Sequence, residues 1–201
     1  MQKKFGIIGA GGHAKVVIEI IEEMGETIIS VTDHKRSFNE FLGYPVLNDQ
    51  PAADLDILIA VGNNAARKKI ASESTGNFGL AIHPKACISS RCFIGKGTVV
   101  MAGSTINSGS VTGNHCIINT NASIDHDCTL ADFVHISPGA SIAGNVSVGE
   151  GTHVGIGSSI IQGVTIGKWV TIGAGAVIIS DVPDYAVAVG VPGKIIKYNK
   201  D

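Results

Sequence analysis

The chain has 201 residues, of which 44% are hydrophobic and 16% are charged, and its formal net charge is −2. This composition supports a substantial folded core and lacks the basic clusters of a nucleic-acid-binding protein. The first residues do not follow the signal-peptide pattern, and no apolar run is long enough to cross a membrane. We therefore expect a cytoplasmic protein that binds no nucleic acid and does not insert into membranes.

The N-terminal part of the chain, residues 1–81, predicts a small α/β domain. Strands are expected at Lys4–Ile8, Thr27–Thr32 and Asp56–Val61, and helices at Lys15–Met24 and Ala65–Ser74. Strands that alternate with helices in this way form a parallel sheet. Because the unit has about half the strands of a full dinucleotide-binding fold, we interpret it as a half-Rossmann domain.

A glycine-rich turn joins the first strand to the first helix. Gly9-x-Gly11-x-x-Ala14 fits the nucleotide-binding fingerprint, although such a spacing also occurs in simple tight turns. Asp33 and Asn63 follow the next two strands, at the sheet edge where such domains bind ligands. These features favour a nucleotide site, and its half size suits a nucleotide-linked sugar better than NAD.

The remaining part of the chain, residues 82–201, is dominated by a six-residue repeat. Stepping by six from Ile82 to Ile178 gives 17 positions, of which 16 are Ile, Leu or Val, and each residue four positions further on is small or β-branched. A period of six fits neither a helix nor a two-faced strand. It predicts short strands separated by corners, with three repeats to a coil and no long inserted loop. Glycines after the aliphatic position, such as Gly95 and Gly113, are expected to supply unusual backbone angles there.

Four histidines lie in the repeat, outside both inward columns, and are therefore expected at corners or on outer surfaces. They are His115, His126, His135 and His153. His126 stands between Asp125 and Asp127, and a neighbouring carboxylate can orient an imidazole and raise its basicity. The alternative is that His126 is a surface histidine without a catalytic role.

His135 and His153 are separated by three repeats, which make one full coil, so we expect them to stack in successive coils. A histidine pair on this scaffold invites comparison with metal-dependent lyases. Those sites need a close pair and a third ligand from a neighbouring chain. No two repeat histidines lie five apart in sequence, as such a pair requires, so we expect no metal.

The chain resembles bacterial nucleotide-aminosugar N-acetyltransferases of the bacillosamine type and the related sialic-acid O-acetyltransferases. The resemblance depends on the combination of the following motifs with the hexapeptide array: Gly9-x-Gly-Gly-His-x-Lys15, Val61-Gly-Asn-Asn64 with Arg67-Lys-Lys-Ile70, Ser123-Ile-Asp-His-Asp-Cys128 and Gly190-Val-Pro-x-Lys194. It implies that the repeat is a left-handed parallel β-helix and that the enzyme is a homotrimer using acetyl-coenzyme A.

The resemblance also implies roles for individual residues. His126 would be the general base and Asp127 would tune it. The positions matching the acetyl-coenzyme A site are Asn119, His135, Gly144, Ile156 and Ala174. The positions matching the nucleotide-sugar site are Gly11, Gly12, His13, Thr32, Asp33 and Gly62.

The resulting hypothesis is direct acetyl transfer to the 4-amino group of a UDP-linked amino sugar, for bacterial surface glycan or glycoprotein biosynthesis. One alternative is O-acetylation of sialic acid or a related sugar. Another is a non-catalytic nucleotide-sugar-binding subunit. The sequence leaves the identity of the sugar and of its nucleotide open.

Overall fold

The computed structural model describes residues 2–34 and 38–199. The N-terminal part forms one sheet in the order β3-β4-β2-β1-β5-β6, parallel except for the antiparallel β3–β4 pair. Its elements are β1 (Lys4–Ile8), α1 (Gly12–Glu23), β2 (Thr27–Thr32), β3 (Glu40–Phe41), β4 (Tyr44–Leu47), β5 (Asp56–Ile59), α2 (Asn64–Glu73) and β6 (Asn77–Phe78).

The three expected strands and two expected helices are present, and the sheet is larger than expected. The hairpin β3–β4 and the short strand β6 extend it at its two edges. β4 was missed because it is short, contains Pro45 and lies at the exposed side of the sheet. α1 begins at Gly12, so the glycine-rich turn runs directly into the first helical turn.

The repeat folds as a coil of short strands, one in each repeat, and each strand pairs in parallel with the strand three repeats later. Face 1 contains β7 (Ala81–Ile82), β10 (Val99–Val100), β13 (Ile117–Ile118), β16 (His135–Ile136), β19 (His153–Val154) and β22 (Thr171–Ile172). Face 2 contains β8 (Cys87–Ile88), β11 (Thr105–Ile106), β14 (Ser123–Ile124), β17 (Ser141–Ile142), β20 (Ser159–Ile160) and β23 (Val177–Ile178). Face 3 contains β9 (Phe93–Ile94), β12 (Val111–Thr112), β15 (Thr129–Leu130), β18 (Ser147–Val148) and β21 (Thr165–Ile166).

Beyond the coil, β24 (Ala186–Val189) continues face 1 and pairs antiparallel with β25 (Lys194–Tyr198). Turns connect the faces and stack on one another, because each coil repeats the one before it. We call the turns from face 2 to face 3, such as residues 107–110, 125–128 and 143–146, the second corner stack. The turns from face 3 to face 1, such as residues 113–116, 131–134 and 149–152, are the third corner stack.

The two inward columns form the core of the coil, as the spacing predicts. The aliphatic and small side chains pack together in one continuous cluster. Cys116 and Cys128 are fully buried in it and Cys92 is partly buried, whereas Cys87 is exposed. Three of the four thiols therefore lie wholly or partly in the packed interior.

The glycines after the aliphatic position have a different role from the one expected. Gly95 and Gly113 do not have left-handed φ angles, but a Cβ on Gly95 would lie 2.3 Å from the Gly113 carbonyl oxygen in the next coil. Close stacking of the coils is therefore what requires glycine there. The left-handed angle falls two positions later, at Gly97 (φ 71°) and at side-chain-bearing residues such as Asp127 (φ 57°).

The N-terminal domain packs against face 1 and the third corner stack. Val17, Ile18 and Ile21 of α1 share one apolar cluster with Val99 and Ile117 of face 1. Neither helix in the described ranges is both long and apolar enough to span a membrane. The domain contact fixes which sides of the coil remain open and thereby positions the site.

Candidate active site

One cavity of about 520 Å³ lies beyond the carboxyl ends of β1, β2 and β5. Its lining includes all six residues expected to bind a nucleotide sugar, namely Gly11, Gly12, His13, Thr32, Asp33 and Gly62. Four further polar residues of the lining, His34, Gln50, Lys69 and Glu73, were assigned no role from the sequence. We call this space the glycine cavity.

The floor of the glycine cavity is built around the start of α1. Asp33 Oδ2 accepts a hydrogen bond from the Ala10 N–H at 2.8 Å, which fixes the glycine turn to the end of β2. Gly11 is the N-cap residue of α1, and no side chain caps the helix. The first N–H groups of a helix lack intrahelical partners and carry a partial positive charge, so this floor suits a phosphate group.

The glycines of this region divide into two kinds. Gly9 has a φ of 110°, and a Cβ there would lie 3.0 Å from the Ala60 carbonyl oxygen, so the fold itself requires glycine. At Gly11, Gly12 and Gly62 a Cβ would meet no protein atom within 4 Å, and none of the three has a left-handed φ. Side chains at these positions would instead project into open space, so glycine leaves room there for a ligand to approach the backbone.

Gly11→Val should cost the fold no more than ~1 kcal/mol, the usual effect of a poor N-cap residue, while weakening UDP binding at least about tenfold, because the new side chain occupies ligand space. Thermal unfolding and titration calorimetry with UDP measure the two effects. Gly9→Val is the contrasting control and should destabilise the fold. Unchanged UDP affinity in Gly11→Val would contradict the assignment of the cavity.

His135 lies in β16 of face 1. Its Nε2 is 3.2 Å from Asn119 Nδ2, and its ring centroid is 4.7 Å from that of His153, which confirms the expected pairing of the two histidines. Ser137 Oγ in turn lies 2.9 Å from His153 Nε2. These four side chains form a polar ladder across successive coils.

His115 lies at a corner and His135 on the outside of face 1, as expected, but neither is open to solvent, since they are 6% and 9% exposed. Both do lie outside the coil, but the N-terminal domain covers that side. His115 is packed between Phe78 of this domain and Phe133 of the third corner stack. The repeat alone could not reveal this cover, because it depends on how the two parts dock.

Arg67 of α2 joins the two parts of the chain and was assigned no role from the sequence. Its guanidinium, in a residue that is 1% exposed, donates hydrogen bonds to the carbonyls of Val61 and Gly62 and to those of His115 and Phe133. It also donates to a side chain, the Asn64 amide oxygen, at 2.9 Å. The loop beside the glycine cavity is thereby tied to the coil by a buried cation.

Burial and the positive charge of Arg67 keep the nearby histidines neutral. Burial is the main cause and lowers the pKa of His13 and His115 to about 4 and that of His135 to about 3. Arg67 adds to the depression of the pKa in each case. The buried part of the junction between the domain and the coil therefore holds the charged Arg67 guanidinium among neutral imidazoles, and the Lys68–Glu150 ion pair joins the two parts nearer the surface.

These depressed pKa values predict acid sensitivity. The histidines are neutral in the folded state but gain protons in the unfolded state below a pKa of about 6.5, so the free energy of unfolding should fall as pH drops from 6.5 towards 4. The loss is at most ~1.4 kcal/mol per pH unit for each histidine. Urea unfolding measured at several pH values tests this, with His115→Phe as a variant that should flatten the dependence. A stability that stays constant between pH 6.5 and 4 would contradict it.

A second cleft runs between the start of α2 and face 1. Its lining includes Ile156 and Ala174, two of the residues expected to contact acetyl-coenzyme A, together with Trp169 and Asn199, which were not expected. Gly62 lines both this cleft and the glycine cavity. The two spaces therefore meet at Gly62, whereas Asn119 and His135, which were also expected to contact acetyl-coenzyme A, line neither of them.

His126 and Asp127 lie in the second corner stack. His126 Nδ1 is 2.8 Å from Asp127 Oδ2, and this hydrogen bond is the main cause that raises the His126 pKa above its usual value. If Nδ1 carries the proton and donates it to the carboxylate, Nε2 is left as the base. The ring lies over Gly144 of the next coil, where a Cβ would be 2.7 Å from Nε2.

Gly144 is therefore separated from the other residues expected to contact acetyl-coenzyme A and placed beside His126. Its N–H makes no hydrogen bond to the described residues. A free N–H next to a base is the arrangement that can bind a developing oxyanion. His126, Asp127 and Gly144 thus form one local group, which we call the base corner.

Within a single chain, the base corner does not lie next to the glycine cavity or the second cleft. The N-terminal domain packs on face 1 and the third corner stack, whereas His126 lies in the second corner stack, at a different edge of the triangular coil. Neither the glycine cavity nor the second cleft is lined by residues 125–128. Among the described residues no cluster of three or more potential metal ligands is found.

Comparison with known proteins finds matches to both parts of the chain. Residues 4–74 match the PglD N-terminal domain, and residues 145–180 match the bacterial transferase hexapeptide with six repeats. The acetyltransferase domain of PglB from Neisseria gonorrhoeae FA1090 is 40% identical, with a TM-score of 0.92 over 97% of this chain and 100% of that chain. PerB from Caulobacter crescentus, solved with CoA and GDP-perosamine, is 41% identical, with a TM-score of 0.91 over 96% and 97% of the two chains.

The chain belongs to the bacterial nucleotide-aminosugar N-acetyltransferases. The match along almost its whole length also confirms the left-handed β-helix. A curated relative, UDP-N-acetylbacillosamine N-acetyltransferase from Bacillus subtilis (strain 168), is 41% identical over 114 residues. That alignment covers 50% of this chain and 52% of the relative, so the chain matches about half the length of this relative.

Proposed function

We propose that this protein transfers an acetyl group from acetyl-coenzyme A to the 4-amino group of a UDP-linked amino sugar in the cytoplasm, for bacterial glycan or glycoprotein biosynthesis. The observation that carries the proposal is the open space at Gly11, Gly12 and Gly62, which the fold does not need and a nucleotide sugar would fill. The PglB acetyltransferase domain has been solved with acetyl coenzyme A, which supports the choice of acyl donor.

A GDP-linked amino sugar is the second candidate acceptor. PerB was solved with GDP-perosamine, and its structure matches 96% of the present chain. The relative that acts on a UDP sugar aligns over half of the chain. The floor of the cavity, made of backbone N–H groups, suits the diphosphate of either nucleotide.

The second cleft is proposed to hold the pantetheine arm of acetyl-coenzyme A, with Ile156 and Ala174 along it and the His135–Asn119 pair near the thioester. The meeting point of the cleft and the glycine cavity at Gly62 would then bring the thioester and the sugar amine together. Holding two substrates in this way makes the reaction effectively intramolecular. The lowered pKa of His135 keeps its ring neutral, which suits contact with an uncharged thioester.

His126 is proposed as the general base. Nε2 would remove a proton from the amine as its nitrogen attacks the thioester carbonyl, and the Gly144 N–H would stabilise the oxyanion before coenzyme A leaves as the thiol. Asp127 would stabilise the imidazolium. Because the His126 pKa is raised, the base becomes available at a higher pH than an ordinary imidazole would, and activity should increase with pH through this pKa.

Because one chain separates the base corner from the cavities, we propose that the catalytic centre forms between copies in a homotrimer. The base corner of one subunit would face the glycine cavity and cleft of its neighbour. The side chain of His126 is 59% exposed in the single chain, which leaves it free to reach such a partner. A symmetric ring repeats the same contact at each interface.

The proposal predicts thiol release from acetyl-coenzyme A in the presence of a UDP- or GDP-linked amino sugar. His126→Ala should lower kcat by about 10²–10⁴-fold, the usual contribution of a general base, with little change in the KM for acetyl-coenzyme A. His83→Ala, at a histidine far from the base corner, is the matched control and should keep wild-type turnover.

A thiol-release screen of UDP-, GDP- and dTDP-linked amino sugars measures both the activity and the nucleotide preference. Near-normal turnover in His126→Ala would overturn the assignment of the base. Absence of thiol release with all three nucleotide classes would overturn acetyl transfer to a nucleotide-linked amino sugar.

A further inference from the structure

The turn that carries the base corner is fastened from inside the coil by a serine of the preceding coil. Ser110 Oγ donates a hydrogen bond to the Asp125 carbonyl at 2.6 Å and accepts one from the Cys128 N–H at 3.1 Å. Ser110 itself is fully buried. One hydroxyl therefore spans the two ends of the turn 125–128, on which His126 lies.

A second connection fastens the same turn from outside the coil. Asn107 Nδ2 donates to Asp125 Oδ1 at 2.9 Å, and the same oxygen accepts the His126 N–H at 2.8 Å. The hydrogen bond from Asn107 is the larger cause and that from the His126 N–H is the second, and both lower the Asp125 pKa. The Asp125 carboxylate is therefore charged at neutral pH. Asp125 is thus a fixed negative charge adjacent to the base.

Two glycines leave room for the base corner between its neighbouring coils. A Cβ on Gly109 would lie 2.3 Å from Asp127 Oδ1, and a Cβ on Gly144 would lie 2.6 Å from His126 Cε1. The carboxylate therefore rests on the coil before it and the ring on the coil after it. Any movement of the turn 125–128 would change both contacts.

We propose that Asp125, held by Asn107 and Ser110, is a positioning residue that orients His126 for the acetyl transfer proposed above. Asp125 acts through the His126 backbone N–H and through its charge. After the Asp127 hydrogen bond, the charge of Asp125 is the next cause that raises the His126 pKa. The turns of the coils before and after, residues 107–110 and 143–146, contain no ionisable side chain. On the turn 125–128 itself, the ionisable group besides Asp125, His126 and Asp127 is the Cys128 thiol, which is buried inside the coil.

The first test is to titrate His126 in Asp125→Asn and to monitor the titration through the NMR signal of the His126 ring. Loss of the charge should lower the His126 pKa by roughly half a unit or more. This measurement needs no substrate, so it remains informative even if acetyl transfer is disproved. An unchanged His126 pKa in Asp125→Asn would overturn the role of Asp125.

The second test separates positioning from stability. Ser110→Ala should lower kcat roughly 3- to 10-fold at unchanged KM for both substrates, since a weakly held base is misoriented. Thr98→Val is the matched control, because the Thr98 hydroxyl fastens the turn 113–116 in the same way, with bonds to the Gly113 carbonyl (3.1 Å) and the Cys116 N–H (3.0 Å). It should lose similar stability without loss of kcat.

Asn107→Ala should behave like Ser110→Ala and should also allow the Asp125 pKa to rise towards its ordinary value. Equal effects of Ser110→Ala and Thr98→Val on kcat would overturn the proposal, because they would reflect stability alone. Wild-type kcat in both Asn107→Ala and Ser110→Ala would overturn it as well. If His126→Ala retains turnover, the assignment of His126 as the base fails, and the NMR titration still decides whether Asp125 raises the His126 pKa.

Discussion

The stacking of equivalent residues in successive coils is the constraint on which the rest of the molecule depends. Each turn contacts the turn one coil before it and the turn one coil after it, so each side chain has two fixed neighbours. Where a turn carries a large or functional side chain, the neighbouring turn must supply space. Gly109 and Gly144 supply it for Asp127 and His126. The same stacking lets buried hydroxyls fasten the turns, as Ser110 does for 125–128.

A second interaction joins the repeat to the domain that would choose the acceptor. The buried guanidinium of Arg67 bonds to carbonyls on both sides of this junction and has no carboxylate partner among the residues described. A buried charge is costly unless its donors are satisfied, and here five hydrogen bonds to oxygen atoms satisfy them. This arrangement also favours neutral histidines in the polar ladder. After burial, which is the main cause, the charge of Arg67 therefore lowers the pKa of histidines in both the N-terminal domain and the polar ladder.

Much of the fold follows from the sequence because the repeat leaves little choice. An aliphatic residue every six positions can be buried along a continuous core only if the chain coils, and this fixes the faces, the turns and the inward cysteines. The handedness did not follow from the spacing and came from the resemblance. Strands β3 and β4 escaped prediction because they are short and half-exposed, so they lack a periodic apolar signal.

The candidate site was less predictable, because it depends on docking. The six residues expected in the glycine cavity could be named from the resemblance, and the fold places them at strand ends and at the start of α1, along the same sheet edge. The burial of His115 and His135 could not, because it arises from contacts between the domain and the coil. Arg67 was visible as part of a motif, but nothing in its spacing indicates that its partners are carbonyls of distant turns. Gly144 was expected near acetyl-coenzyme A, and its place under the His126 ring became visible only through the stacking of coils.

The central claim is that the acceptor cavity of one subunit works with the base of another. The most direct measurement is thiol release by mixed oligomers, made by co-expressing His126→Ala and Gly11→Val chains with different affinity tags and purifying on both. Assayed alone at a sugar concentration well below the wild-type KM, each variant should retain about a tenth of wild-type turnover or less. Because one of the three interfaces in every mixed trimer joins an intact cavity to an intact base, the mixed oligomers should recover roughly a third of wild-type turnover. Mixed oligomers as inactive as the two separate variants would contradict a site shared between subunits.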